Sequence, residues 1–248
     1  MVSYVKTAYT FILLLFPLVT AADELRIAVA ANFYSTLSLI KAEFEKQSQD
    51  KISIIKGSTG KLYAQIIHGA PFDIYMAADE KRPEVLEKKN FIIEGSRFTY
   101  AEGTIVLWAN KRWAEKNKQD VLSILKNQQF KKLAIANPKI APYGVAAIEV
   151  LEKLKLNNQF KHKMVYGENI AQAFQFVQTG SAQLGFIALS YIKPLKEPYW
   201  SVPYNLYTPL KQQAVILKKT KKLLLAQEFV DFMKSEKIKQ LIKKQGYI

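Results

Sequence analysis

The chain has 248 residues, a formal net charge of +15 at pH 7 and no cysteine. The lack of cysteine excludes disulfides, thiolate catalysis, cysteine-ligated zinc, iron–sulfur clusters and a lipid-modified cysteine. Lysine supplies nearly all of the positive charge, whereas nucleic-acid recognition favours the planar fork of arginine, so we expect a solvated lysine-rich surface and no nucleic-acid partner.

The first 22 residues have the pattern of a secretory signal peptide. Lys6 gives a weakly positive start, Phe11–Val19 is a short apolar run, and Val19-Thr20-Ala21 offers a small-residue cleavage site. The apolar run is shorter than the about 20 residues that a transmembrane helix needs. We therefore expect cleavage near Ala21 or Ala22 and export to the periplasm, without a lipid anchor.

Strand and helix patterns alternate after the signal peptide, and this order indicates parallel sheets with helices on both faces. The hydrophobic periodicity predicts strands at 25–30, 51–55, 72–77, 104–108, 132–136, 163–166, 184–189 and 212–217. It predicts helices at 33–46, 61–68, 84–89, 120–126, 144–155, 170–179, 223–234 and 236–243. Four prolines between 194 and 209 predict an irregular segment there.

This succession predicts two α/β lobes joined by a double crossover. We assign residues 23–105 and 212–248 to the first lobe and residues 106–211 to the second. In such sheets the ligand binds beyond the carboxyl ends of the strands. We therefore expect the binding site in the cleft between the lobes.

Four junctions that precede helices have a composition suited to anion binding. They comprise residues 30–32, 57–60, 141–144 and 168–170, and none of them contains lysine, arginine or histidine. Each helix start offers backbone N–H groups that have no helical acceptor, together with about half a positive charge from the helix dipole. One such junction is an ordinary helix cap. Four together predict a cage of neutral donors, which favours molybdate, tungstate or sulfate over a protonated phosphate.

Several segments resemble the periplasmic molybdate-binding proteins of bacterial uptake systems. They are Ala30–Phe33, Gly57–Gly60, Tyr63–Lys81, Gly95–Ala101, Asn137–Gly144 and Leu184–Leu189. The resemblance covers essentially the whole mature chain, in order, and it is strongest to the branch with an Ala-Pro-Tyr-Gly loop. It implies an α/β type II periplasmic binding fold, with two lobes of mixed and parallel sheets and a ligand cleft between them.

The resemblance also implies which residues bind the oxyanion: Asn32, Ser58, Thr59, Tyr143 and Ile170. Thr59 would use its N–H and its hydroxyl, with neighbouring Ser58 as a second candidate. Tyr143 and Ile170 would donate backbone N–H groups. Two departures leave the number of side-chain hydrogen bonds open, because Ala31 stands where close relatives can carry a hydroxyl and Ala188 where another branch has a ligand tyrosine.

Three alternatives remain beside this interpretation. The protein could bind sulfate or another tetrahedral oxyanion. It could be a hydrolase that uses Ser58 as nucleophile and His68 as base, although no carboxylate is placed by sequence to orient the histidine. Asp73, Asp79 and Glu80 could hold a cation, although a strand and its exit do not bring several oxygens together.

Taken together, the sequence predicts a non-enzymatic, monomeric binding protein of the periplasm. It would capture molybdate or tungstate and deliver it to an inner-membrane ABC permease. We expect no cofactor and no cation site, since the metal would be bound as its oxyanion.

Overall fold

The computed structural model describes residues 24–117 and 120–248. The predicted signal peptide, residues 1–22, lies outside the described residues. Within these two ranges, no helix combines the length and the apolar character that a membrane crossing requires.

The strands and helices of the described residues alternate through most of the chain. The strands are β1 (Glu24–Ala30), β2 (Lys51–Gly57), β3 (Ile74–Met76), β4 (Phe98–Gly103), β5 (Ile105–Trp108), β6 (Leu133–Ala136), β7 (Met164–Gly167), β8 (Leu184–Ala188), β9 (Tyr199–Ser201) and β10 (Leu210–Ile216). The helices are α1 (Tyr34–Phe44), α2 (Thr59–Ile67), α3 (Lys81–Lys88), α4 (Lys111–Asn117), α5 (Val121–Lys126), α6 (Pro142–Lys153), α7 (Asn157–Phe160), α8 (Ile170–Gln178), α9 (Leu189–Ile192), α10 (Leu223–Met233) and α11 (Glu236–Lys244). Short 3₁₀ helices lie at Ala31–Phe33, Lys193–Leu195 and Tyr204–Leu206.

Two five-stranded sheets form the framework, in the orders β2-β1-β3-β10-β4 and β7-β6-β8-β5-β9. In the first sheet, β1 pairs in parallel with β2 and β3, whereas β10 is antiparallel to β3 and β4. In the second, β6 is parallel to β7 and β8, whereas β5 is antiparallel to β8 and β9. The predicted α/β class with two lobes and mixed sheets is therefore confirmed. We call the halves built on these sheets the first and second lobes.

The antiparallel strands lie where the chain passes between the two sheets. Only Thr104 separates β4 of the first sheet from β5 of the second. No crossover helix turns the chain back at this point, so β5 enters its sheet against the direction of β8. The sheet membership changes again between β9 and β10. The lobe limits at 105/106 and 211/212 remain a prediction.

Some elements were not predicted, chiefly at the sheet edges. The segment from 194 to 209, predicted to be irregular, contains β9, which pairs with the outer side of β5. Its prolines flank the strand and do not interrupt it, as is usual for edge strands. The sequence pattern also missed β4, α4, α7 and α9. These are short or half-exposed elements, in which hydrophobic periodicity is weak.

The C-terminal helices complete the first lobe. Helices α1, α10 and α11 share one apolar core with β1 and β10, and α2 and α3 share another on the opposite face of the sheet. Phe44 of α1 meets Phe229 of α10 edge to face, with ring centroids 5.4 Å apart. The chain thus returns to its first sheet after building the second.

We expect Phe229→Ala to lower the free energy of unfolding by about 3–5 kcal/mol, as for other buried phenylalanines. Phe229 is 1% exposed, whereas Leu224 of the same helix is 88% exposed. The matched variant Leu224→Ala should change stability by less than about 0.5 kcal/mol. Urea unfolding followed by circular dichroism measures both. Equal effects of the two changes would contradict the packing of α10 on the first lobe.

Candidate functional site

A small cavity lies between the lobes, at the carboxyl ends of strands from both sheets. It is lined by Ala30, Ala31, Asn32, Gly57, Ser58, Thr59, Ala78, Ala141, Pro142, Tyr143, Asn169 and Ile170. Its volume is about 10 Å³, against roughly 300–1,000 Å³ for the pockets of drug-sized ligands. The structure thus brings all five residues of the predicted site to one small cavity, whose size favours a small ion over a sugar or an amino acid.

The start of α2 leaves one backbone donor without an acceptor. Ser58 caps this helix by accepting from the N–H of Lys61 at 3.4 Å, and the N–H of Gly60 donates to Ile140 of the second lobe at 2.8 Å. Leu62 donates to the carbonyl oxygen of Ser58. Within the described ranges, the N–H of Thr59 has no partner, although the residue is only 1% exposed.

The Thr59 side chain is held in a defined orientation. Its Oγ1 accepts from the N–H of Ala78 at 3.2 Å, and its carbonyl oxygen accepts from the Tyr75 hydroxyl at 2.8 Å. Because the first contact uses a lone pair of Oγ1, the hydroxyl proton remains available to donate. Thr59 can therefore offer the cavity two donors, its N–H and its hydroxyl.

The start of α6 has a similar arrangement in the second lobe. Pro142 occupies the first helical position and has no N–H. Gly144 and Val145 both donate to the carbonyl oxygen of Ala141. The N–H of Tyr143 is therefore the donor of this turn that has no acceptor among the described residues.

The start of α8 repeats the pattern through a side-chain cap. Asn169 Oδ1 accepts from the N–H groups of Ala171 and Gln172, at 3.0 and 3.2 Å. Ala173 donates to the Asn169 carbonyl oxygen. The cap accepts hydrogen bonds from the N–H groups of the second and third helical residues. The N–H of the first, Ile170, has no acceptor among the described residues.

The side-chain amide of Asn32 is already engaged within the protein and does not donate to the cavity. Its Nδ2 donates to Gln212 Oε1 at 2.8 Å and to the Tyr247 hydroxyl at 3.4 Å. Its carbonyl oxygen accepts from Tyr247 at 2.7 Å and from Ser190 at 3.2 Å. Both hydrogens of the side-chain amide thus have acceptors already, and only the backbone N–H is left for a ligand.

Gln212, Tyr100 and Tyr247 support the site, and the sequence analysis missed them. Gln212 is fully buried, accepts from the Tyr100 hydroxyl at 3.0 Å and donates to the Tyr143 hydroxyl at 3.4 Å. It therefore links Asn32 of the first lobe to Tyr143 of the second. One sequence feature could have indicated Gln212: it belongs to a pair of glutamines at the start of a predicted buried strand. A buried polar side chain needs hydrogen-bond partners.

The cavity is electrically neutral except for the helix dipoles. None of its lining residues, all of them within the described ranges, has a charged side chain. Burial raises the pKa of Tyr143 well above its usual value and raises the pKa of Tyr247 to about 12. Both phenols therefore remain protonated donors at neutral pH.

Glu168, the acid nearest to these junctions in sequence, does not line the cavity. It pairs with Lys61 across the cleft, with 2.9 Å between Nζ and Oε1, and both side chains are about half exposed. Hence no carboxylate is available in the cavity to accept a proton from a ligand. The arrangement suits an anion that only accepts hydrogen bonds.

The structure does not support the catalytic and cation-binding alternatives. Ser58 caps the start of α2 and His68 its end, so about 15 Å along the helix separates them. Asp79 pairs with Arg82 and accepts from its N–H at 3.2 Å. In the part of the chain that the structure describes, no three histidine, aspartate or glutamate residues form a group that could hold a metal ion.

Comparison with known proteins agrees with this geometry. Residues 25–248 match the family model described as bacterial extracellular solute-binding protein. The molybdate-binding protein ModA of Azotobacter vinelandii is 47% identical over 230 residues, which cover 91% of this chain and 90% of the relative. ModA of Rhodobacter capsulatus is 38% identical, with coverage of 92% and 89%.

A solved structure has the same fold over nearly its whole length. The periplasmic molybdate-binding protein of A. vinelandii superposes with a TM-score of 0.85 at 38% identity, covering 90% of this chain and 98% of that chain. The family model spans both lobes, and the two relatives and the superposition cover 90% or more of the chain. The chain therefore belongs to the bacterial extracellular solute-binding protein family and, within it, to the molybdate-binding proteins.

Proposed function

We propose that this protein binds molybdate or tungstate between its lobes and delivers it to an ABC permease of the inner membrane. One observation carries the proposal. Helix starts from both lobes each leave one N–H without an acceptor among the described residues, and all of them line one uncharged cavity. The relatives named above are molybdate-binding proteins, which supports this choice of anion.

The donor set selects for the protonation state of the anion. Molybdate, tungstate and sulfate carry no proton at neutral pH, so every oxygen can accept an N–H or O–H. A protonated phosphate oxygen must donate, and a buried donor without an acceptor loses about 1–3 kcal/mol. The dipoles of α2, α6 and α8 add favourable potential at their first turns. Sulfate shares these properties, and only the size of the cavity separates it from molybdate.

In this proposal, five residues hold the anion from two sides. Thr59 donates through its N–H and hydroxyl, Ser58 through its hydroxyl, and Asn32 through its backbone N–H. Tyr143 and Ile170 donate backbone N–H groups. The first three belong to the proposed first lobe, residues 23–105 and 212–248, and the other two to the second, residues 106–211.

We infer that residues 1–22 direct export and are removed near Ala21 or Ala22, which leaves a periplasmic protein. It acts as a monomer, without a catalytic step or a cofactor, and the permease recognises the closed, ligand-bound arrangement of the lobes.

Calorimetry of the mature protein with molybdate, tungstate, sulfate and phosphate tests the ligand. We expect tight binding of molybdate and tungstate and weaker binding of phosphate, because the cavity offers donors and no acceptor. We expect sulfate, which the donor set does not distinguish from molybdate, to bind more weakly because its size differs. Tight sulfate binding without a preference for molybdate would assign the protein to sulfate.

The Thr59 hydroxyl is the donor that substitution can remove most cleanly. We expect Thr59→Ala to weaken molybdate binding by about 1.5–3 kcal/mol, the usual contribution of a hydrogen bond to a charged group. Thr59→Ser retains the hydroxyl and should bind within about 1 kcal/mol of wild type. Unchanged affinity of Thr59→Ala, measured by calorimetry on a protein with a native circular dichroism spectrum, would mean that Thr59 only starts the helix.

Molybdate affinity should be constant between pH 7 and 9. Tyr143 is the one titratable residue among the described residues that line the cavity, and burial raises its pKa. Because burial favours the neutral phenol, the contribution of Tyr143 to folding stability is fully present below the unfolded tyrosine pKa of about 10. That contribution is lost only as the pH rises through the raised pKa of the folded state. A tenfold change in affinity over this range would contradict a site of neutral donors.

A further inference from the structure

The two lobes touch through their backbones directly beside the cavity. The N–H of Gly60 donates to the carbonyl oxygen of Ile140 at 2.8 Å. A Cβ at position 60 would lie 3.0 Å from both the Cα and the carbonyl oxygen of Ile140. This is well inside the optimal separation of about 3.5–4.0 Å between carbon atoms. A methyl group at position 60 therefore fits only if the Ile140 backbone moves away by a few tenths of an ångström.

The contact is adjacent in sequence to ligand donors on both sides. Gly60 follows Thr59, and Ile140 lies three residues before Tyr143. Both segments are held by helix starts, those of α2 and α6. If Gly60 and Ile140 move apart, the donors of the first lobe therefore move away from those of the second.

A second glycine of the first lobe receives the same part of the second lobe. A Cβ on Gly103 would lie 2.2 Å from the Tyr143 hydroxyl oxygen and 2.5 Å from Gln212 Nε2. Gly103 ends β4, immediately before the chain crosses to the second sheet. Residues 140–143 are thus seated on two positions, Gly60 and Gly103, neither of which has a side chain.

The ion pair across the cleft is a weaker restraint. Lys61 and Glu168 are separated by 2.9 Å, but their side chains are 53% and 45% exposed. Exposed pairs of this kind contribute little and are screened by salt. A direct backbone contact cannot relax by changing a rotamer, so it fixes the spacing more firmly than the ion pair does.

We propose that Gly60 is a positioning residue that sets the distance between the two lobes at the anion cavity, and thereby the lifetime of the bound anion. This proposal rests on the proposed function. Hydrogen bonds weaken beyond donor–acceptor distances of about 3.2 Å. An added methyl group that moves the lobes apart by a fraction of an ångström lengthens the bonds of one lobe together, because its donors move as one body.

The test is Gly60→Ala, studied by calorimetry and by stopped-flow displacement of molybdate. We expect the affinity for molybdate to fall at least about tenfold through faster dissociation. The association rate should stay within about twofold, because the added methyl group removes no donor from the cavity. Position 60 is the second residue of α2, and alanine favours a helix over glycine. The ligand-free variant should therefore unfold at the same temperature as wild type or higher.

Two further variants sharpen the result. Gly103→Ala, at the second contact, should also speed dissociation. Glu168→Gln removes the ion pair and leaves the backbone contact, and it should change the affinity by less than about threefold. A larger effect of Glu168→Gln than of Gly60→Ala would overturn the proposal in favour of the ion pair.

Failure of this proposal can be distinguished from failure of the proposed function. Wild-type affinity and dissociation rate in Gly60→Ala would overturn the proposal. So would a loss of affinity that comes with a matching loss of ligand-free stability, since that would show a general role in folding. If wild-type protein bound none of the oxyanions, the proposed function would fail first, and this result is seen before any variant is made.

Discussion

The structure depends on backbone N–H groups that the fold buries without giving them an acceptor. A buried donor left unpaired is unfavourable by about 1–3 kcal/mol, so native proteins seldom leave several together. Here Thr59, Tyr143 and Ile170 start three different helices and line the same cavity. The neighbouring N–H groups of each turn do have acceptors: side-chain caps at α2 and α8, the Ala141 carbonyl oxygen at α6, and Ile140 of the second lobe for Gly60. In the proposed site, an anion that accepts from all three N–H groups would replace the hydrogen bonds that these groups lose on burial.

The sheet topology explains why these helix starts meet. Parallel strands present their carboxyl ends at one edge, and the following helix begins there. Strands β1 and β2 of the first sheet and β6 and β7 of the second supply these edges. Junctions from both sheets line the same cavity, so the two edges face each other across the cleft. The architecture provides the positive ends of the helices without any charged side chain.

A buried polar network connects the cavity to the far end of the chain. Tyr247, the second-last residue, donates to the Asn32 carbonyl oxygen, and Gln212 receives the Asn32 amide. Gln212 also contacts Tyr143 of the other lobe. These groups are neutral, because burial holds the tyrosine pKa values high. The network fixes both sides of the site without adding a charge that would compete for the anion.

The sequence by itself determined the alternation of strands and helices, the four polar junctions, their lack of cationic residues and the family. The elements and junctions are local properties, because helix starts and buried strands are determined by neighbouring residues, and the family follows from several such segments in order along the chain. Only the tertiary structure decided how the site residues are used. The Asn32 amide is engaged by partners 180 and 215 residues away, and the Thr59 hydroxyl is oriented by Ala78. The spacing of the lobes at Gly60 is likewise a contact between distant segments, and no local pattern encodes a distance of this kind.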